Sequence, residues 1–276
     1  MELQNGLQNV RKQGLGLAAV SYDSPAVLKS FADRTSIAFP LLSDAGSKTI
    51  RAYGILNETV PADSAQYGIP HPGTFILNPR GEVISKYFED DYRERYTASE
   101  ILVRQFGGTA GASKTVAETR QLRLSASASL AAVRTGQRIA LIIEVELKPK
   151  MHVYAPGVEH YIPIDWSIAE SPAIKIFPAA YPPSKMLHLP VIDETVPVYQ
   201  GKFRLERDVT IGPDAGVKPL LSDKGDLTIA GAFRYQACDD RICYVPQTLP
   251  LSWTVHYEAL DRQRAPSELQ RKSPGR

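Results

Sequence analysis

DLTIAGAFRYQACDDRICYVPQTLPLSWTVHY, Asp226 to Tyr257, reads as two β-strands joined by a tip that carries both cysteines of the chain. Leu227, Ile229, Phe233 and Tyr235 alternate with small or polar residues, which is the period of a half-buried strand, and a second β-like run follows Gln247. Cys238 and Cys243, separated by Asp-Asp-Arg-Ile, fall between the two runs. Outward from this hairpin the same texture continues. LRLSASASL (122–130), RIALIIEVEL (138–147), IDWSIAE (164–170) and KFRLERDVTI (202–211) are β-like runs broken by Pro, Gly and Asp. Short strands at this spacing predict an all-β antiparallel sandwich over residues 115–258. The charged, Pro/Ser-containing tail 259–276 is expected to be disordered.

Upstream of residue 107 the periodicity changes. Leu3, Leu7 and Val10, followed by Gly14, predict an amphipathic helix with a glycine stop. LGLAAVSYD (15–23) suits a buried parallel strand, and Ser24-Pro25 is an N-cap followed by a proline at the first helical position. GSKTIRAYGI predicts a further short helix, TFILNPRGEVISKYF (74–88) two strands around an Asn-Pro-Arg-Gly turn, and Ala98 to Phe106 a closing helix. The order α-β-α-α-β-β-α predicts an α/β layer domain over residues 1–106. GGTAGASK (107–114) has the composition of a flexible linker.

Composition removes several classes of function. The formal net charge of the 276 residues is +2, too balanced for a surface built on phosphate backbone, so nucleic acid is not an expected partner. The apolar run around Ile139 is broken by Glu144, well short of the ~20 residues a bilayer requires. MELQNGLQNVRKQG has no apolar core of the signal-peptide kind. Two thiols cannot supply a four-cysteine zinc site; they leave one disulfide, one redox pair or two idle thiols, with His256 a single candidate third ligand for a metal. His152, His160 and His188 have no Cys, Asp or Glu at ligand spacing and read as solvated loop histidines.

VSYDSPAVLKSFADRTSIAFPLLSD and IPHPGTFILNPRGEV resemble the AhpC/TSA branch of the peroxiredoxin and thioredoxin-like superfamily. The resemblance implies a thioredoxin-like domain over residues 1–106 and makes Pro72 the candidate cis-proline; alternatively Pro70 and Pro72 merely shape a loop. In that family the catalytic cysteine opens the helix after the first core strand, and this chain opens inside that helix. The resemblance therefore implies an incomplete domain without its central strand and catalytic thiol, and a start lying upstream of Met1.

Tyr235-Gln236-Ala237-Cys238 and Cys243-Tyr244-Val245-Pro246 resemble the N-terminal domain of the thiol:disulfide interchange protein DsbD, with the likeness running over roughly residues 118–258. This implies an immunoglobulin-like sandwich whose Cys238/Cys243 pair relays electrons to a thioredoxin-like partner without any cofactor, Cys243 meeting partners and Cys238 resolving. It also implies that aromatics of MHVYAPGVEHYIPIDWSI (151–168) line the site, namely Tyr154 and Tyr161, together with Tyr235, Tyr244, Val198 and Tyr199. The family's cap loop has an acidic pair and an aromatic before Tyr-Gly-Lys; here Asp193-Glu194 lies further upstream and Val198 stands in the aromatic's place.

The expected function is thiol-disulfide exchange. The alternatives are a peroxiredoxin-type antioxidant enzyme whose catalytic segment lies outside this chain, and a binding or scaffold protein with an inert disulfide. Asp239 and Asp240 disfavour a thiolate beside Cys238 while Arg241 favours one, and the sequence leaves that balance open. Disulfide chemistry argues for an extracytoplasmic setting.

Overall fold

Leu227, Ile229, Phe233 and Tyr235 bury their side chains on one strand, and Leu251, Trp253, Val255 and Tyr257 bury theirs on its partner. The two strands are registered Asp226↔His256 through Tyr235↔Gln247, so the period of two delivers both apolar sets to one face. This hairpin is the centre of one sheet of a sandwich. The computed structural model describes residues 2–89, 93–106, 114–189 and 193–272. The chain forms two units, Met1–Phe106 with Leu260–Arg276, and Gly107–Ala259.

The first unit contains α1 (Glu2–Lys12), β1 (Ala19–Ser21), α2 (Pro25–Thr35), β2 (Leu41–Ser43), α3 (Lys48–Ala52), β3 (Gly73–Leu77), β4 (Val83–Phe88), β5 (Arg95–Tyr96) and α4 (Ala98–Phe106). Helix α1 buries Leu7 and Val10. The Ser24 side chain caps α2 by accepting from Val27 N, with Pro25 in the first turn. Asp44 accepts from Lys48 N and Ile50 N at the start of α3. These amides hold its carboxyl below the usual range.

FPLLSD supplies strand β2, absent from the order predicted above, which pairs in parallel with β1. Strands β3 and β4 form a separate antiparallel pair, turned at Asn78, whose Oδ1 accepts from Arg80 N and Glu82 N. No described peptide bond is cis, so the bond preceding Pro72 is trans, correcting the expected cis-proline. Trans is the lower-energy isomer of an X-Pro bond by about 0.5–1 kcal/mol unless tertiary contacts reverse it. Residues 260–272, part of the tail expected to be disordered, lie with this unit. Arg34 pairs with Asp261, and Arg271 covers the Tyr22 ring and donates to Tyr67 O.

The second unit holds β6 (Thr115–Glu118), β7 (Leu122–Ala128), β8 (Ala132–Val133), β9 (Gln137–Leu147), β10 (His152–Tyr154), β11 (Asp165–Ile168), β12 (Ile174–Ala180), β13 (Lys185–Leu189), β14 (Glu194–Gln200), β15 (Lys202–Ile211), α5 (Asp214–Val217), β16 (Asp226–Tyr235), β17 (Ala237–Cys238) and β18 (Gln247–Tyr257). One sheet of this unit runs β12-β15-β9-β7-β6 and a second β11-β16-β18-β8. Their inward residues, among them Leu124, Ile143, Leu205, Phe233 and Trp253, form one core. Gly231 belongs to the inward set of β16. Its missing side chain leaves room for Ser167 O, the Ile168 side chain and the Trp253 ring, and that ring lies 5.7 Å from Trp166.

A third sheet, β13-β14-β10-β17, has no counterpart in the sequence reading. It carries Cys238. The proposed linker lies outside the described residues except for Lys114, which pairs with Glu144.

Candidate functional site

Strand β10 sits between β14 and β17, with His152↔Gln200 and Tyr154↔Val198 on one side and His152↔Cys238 on the other. Immediately after β17 the chain turns back, and Cys238 bonds to Cys243 with their Cα atoms 4.0 Å apart. The turn is organised by Asp239. Its Oδ1 accepts from Arg241 N and Ile242 N, and its Oδ2 accepts from the Tyr244 hydroxyl.

The amides of Ile242 and Arg241, then Tyr244, hold the Asp239 carboxyl below its usual range. Its charge is thus engaged within the turn, and the same bond pushes the Tyr244 phenol up. Gln236 Nε2 donates to Tyr244 O, fastening the far side of the turn.

The two sulfurs differ in access. Cys238 is 1% exposed, packed with Tyr154, Val196 and Val198 in a small apolar cluster apart from the main core. Cys243 is exposed. Beside it Ile242 and Val245 are 57% and 82% exposed, giving the open sulfur an apolar surround.

Tyr154 links the two. Its hydroxyl lies 3.7 Å from both sulfurs, and because neither sulfur of a disulfide carries hydrogen, the phenol is the donor. Burial, then the Glu194 charge, pushes its pKa up, which keeps that proton in place at neutral pH. Tyr161 stacks on Tyr154 with centroids 4.4 Å apart and donates its own hydroxyl to Glu194 at the start of β14. That bond, followed by burial, pushes Tyr161 up to about 12.

Of the residues expected to line the site, the structure brings Tyr154, Tyr161, Val198 and Tyr244 to the cysteines. It places Tyr199 and Tyr235 elsewhere. Tyr199 follows Val198 on the same strand, so the period of two turns it into the main core, where its hydroxyl donates to Pro182 O. Tyr235 packs in that same core, and its hydroxyl bonds Gln247 and Thr119.

His152 is a second correction. Far from being a solvated loop histidine, it is 2% exposed on β10, edge-on to Tyr154 at 5.6 Å. His160 and His188 are exposed. Among the described residues no group of three His, Cys, Asp or Glu is placed to hold a metal ion, and no helix is long and apolar enough to cross a membrane.

Residues 120–251 match the family model of the thiol:disulfide interchange protein DsbD, N-terminal. Residues 1–86 match the AhpC/TSA family. No curated protein matches the chain.

Among solved structures, the chain is similar to the N-terminal periplasmic domain of ScsB from Proteus mirabilis, at 12% identity and a TM-score of 0.35, over 50% of this chain and 48% of that one. The match thus spans about half the length of that domain. It is also similar to the DsbD N-terminal domain of Neisseria meningitidis in the reduced form, at 11% identity and a TM-score of 0.28, over 41% of this chain and 74% of that one.

Proposed function

We propose that the second unit is an immunoglobulin-like thiol-disulfide exchange domain acting through Cys238 and Cys243, with a thioredoxin-like protein or domain as partner. The observation that carries this reading is the asymmetry of the pair, one sulfur exposed and the other 1% exposed, with the Tyr154 hydroxyl 3.7 Å from both. A partner thiolate attacks the exposed Cys243 Sγ, the S–S bond breaks, and Cys238 leaves as thiolate, giving a mixed disulfide. The partner's second thiolate then attacks its own sulfur in that mixed disulfide and expels Cys243. The partner is oxidised and this chain reduced; the reverse sequence carries electrons the other way. Tyr154 donates to the departing sulfur, and a hydrogen bond to a charged group contributes about 1.5–3 kcal/mol.

The first unit is, in this reading, the thioredoxin-like α/β domain of the same chain. The AhpC/TSA match and the β1–β2 and β3–β4 pairs set among helices support it. Both cysteines of the chain lie in the second unit, so any thiol chemistry of these residues belongs there. The setting is extracytoplasmic, in keeping with the family matched by the second unit and with the disulfide that Cys238 and Cys243 form.

The competing reading is an inert staple. A ring this short contributes only about 2 kcal/mol by loop closure, and it encloses an exposed sulfur, which is a poor place for a lock. Cys238→Ser and Cys243→Ser, each incubated with an oxidised thioredoxin and run on non-reducing gels, decide between the two. Cys238→Ser is expected to accumulate a mixed disulfide and Cys243→Ser none. Trapping by neither variant refutes exchange; trapping by Cys243→Ser alone keeps the chemistry and reverses the roles.

A further inference from the structure

The resolving cysteine is buried, and a buried thiol is a weak nucleophile until something takes its proton. The β10–β17 register sets His152 directly opposite Cys238. Opposed residues of an antiparallel pair project from the same face with Cβ atoms about 4.5–5.5 Å apart. His152 shares that face with Tyr154, two residues on, which reaches both sulfurs. The imidazole is 2% exposed, and its Nε2 is buried with no hydrogen-bond partner among the described residues. A buried polar nitrogen left unpaired costs free energy in the resting disulfide state, so its presence beside the resolving sulfur calls for a use.

Resting on the exchange reading above, we infer that His152 is the proton acceptor for Cys238 in the resolving step. When the dithiol form has been joined to an oxidant through Cys243, Cys238 still carries hydrogen. The neutral imidazole takes that proton. The Cys238 thiolate attacks Cys243 Sγ, the bond from Cys243 to the oxidant's sulfur breaks, and the oxidant's sulfur leaves as a thiolate that the imidazolium or solvent protonates. Cys238 and Cys243 end oxidised and the oxidant reduced, with no proton or electron unassigned.

The surroundings suit a base that is neutral at rest and charged only in passing. Burial pushes the His152 pKa down, while Asp240 and then Asp239 oppose that shift and so favour the imidazolium once it forms. The other groups facing it are Tyr154 on its own strand, Cys238 on β17 and the neutral Gln200 opposite it on β14.

The test oxidises the reduced full chain with glutathione disulfide across a pH series, quenches by alkylation, and follows the glutathionylated intermediate by mass. Formation of that intermediate at Cys243 should be the same in wild type and His152→Gln. Its resolution near pH 6.5, the ordinary histidine value, should be slower in the variant by roughly tenfold or more. The two should converge toward about pH 9, where thiols ionise unaided.

Resolution at the wild-type rate throughout would overturn the role of His152 and leave exchange standing. Failure of the wild-type chain to form or resolve any intermediate would overturn exchange itself, and this inference with it. A measurement on the unaltered chain guards against a misfolded variant: the His152 ring titration, followed by nuclear magnetic resonance, should differ between the oxidised and reduced forms. Identical midpoints would overturn the inference.

Discussion

Tyr161 keeps its proton because losing it would set a phenolate beside Glu194, the carboxylate to which it donates. Its folded pKa is raised above the ordinary tyrosine value of about 10. The stabilisation from that bond is therefore whole below about pH 10 and lost as pH rises through about 12. Ultraviolet difference titration of wild type against Tyr161→Phe should show the missing phenol titrating near 12. A missing transition at the ordinary value would mean that the Glu194 contact does not hold in solution.

At this scale the cysteines and Tyr244 are legible in the sequence from spacing and immediate neighbours, and Tyr154 only through the family resemblance of residues 151–168. His152 is not, because its significance comes from facing Cys238 across a strand pair formed by residues far apart in the chain. Tyr199 misleads for the complementary reason: adjacency to Val198 in sequence means opposite faces in a strand.

Among the elements, the long strands β9, β15, β16 and β18 announce themselves by alternation or by sustained apolar runs. Strands β10 and β17 span three and two residues, too few to show any period. The sheet that holds the site is thus the least legible part of the fold, being defined by pairing alone.

Two substitutions test the supporting elements. A Cβ at Gly231 would lie 2.6 Å from Ser167 O on β11 and 3.1 Å from the Trp253 ring. Gly231→Ala should destabilise the second unit by about 1–3 kcal/mol in urea unfolding, as overpacking does, and an unchanged midpoint would show that β11 yields freely. Arg138 and Asp208, largely buried on neighbouring strands β9 and β15, pair at 2.9 Å, and Arg138 also lies 3.7 Å over the Phe177 ring. Asp208→Ala leaves the guanidinium without this carboxylate and should cost about 3–5 kcal/mol; a loss under about 1 kcal/mol, the value typical of an exposed pair, would mean that water reaches the site.

At the scale of the whole molecule, chemistry and stability are separated within the second unit. The core of the second unit lies between its two larger sheets, while the disulfide rests on a separate cluster of Tyr154, Val196 and Val198. Reduction should therefore lower the unfolding free energy of this unit by about 2 kcal/mol or less without unfolding it. Residues 114–259 expressed alone should unfold cooperatively in both redox forms. Loss of cooperative unfolding on reduction would mean that the disulfide holds the fold together.

The two tryptophans of the chain, Trp166 and Trp253, both belong to the main core, and neither belongs to the cluster around the disulfide. Their indole N–H groups are buried without hydrogen-bond partners among the described residues, a dry environment that shifts indole emission to the blue. Fluorescence will accordingly follow denaturation of the second unit with high contrast while staying nearly silent as the thiols change state. An experimenter tracking electron flow by intrinsic emission would see almost nothing, and would need mass shifts or a labelled partner instead.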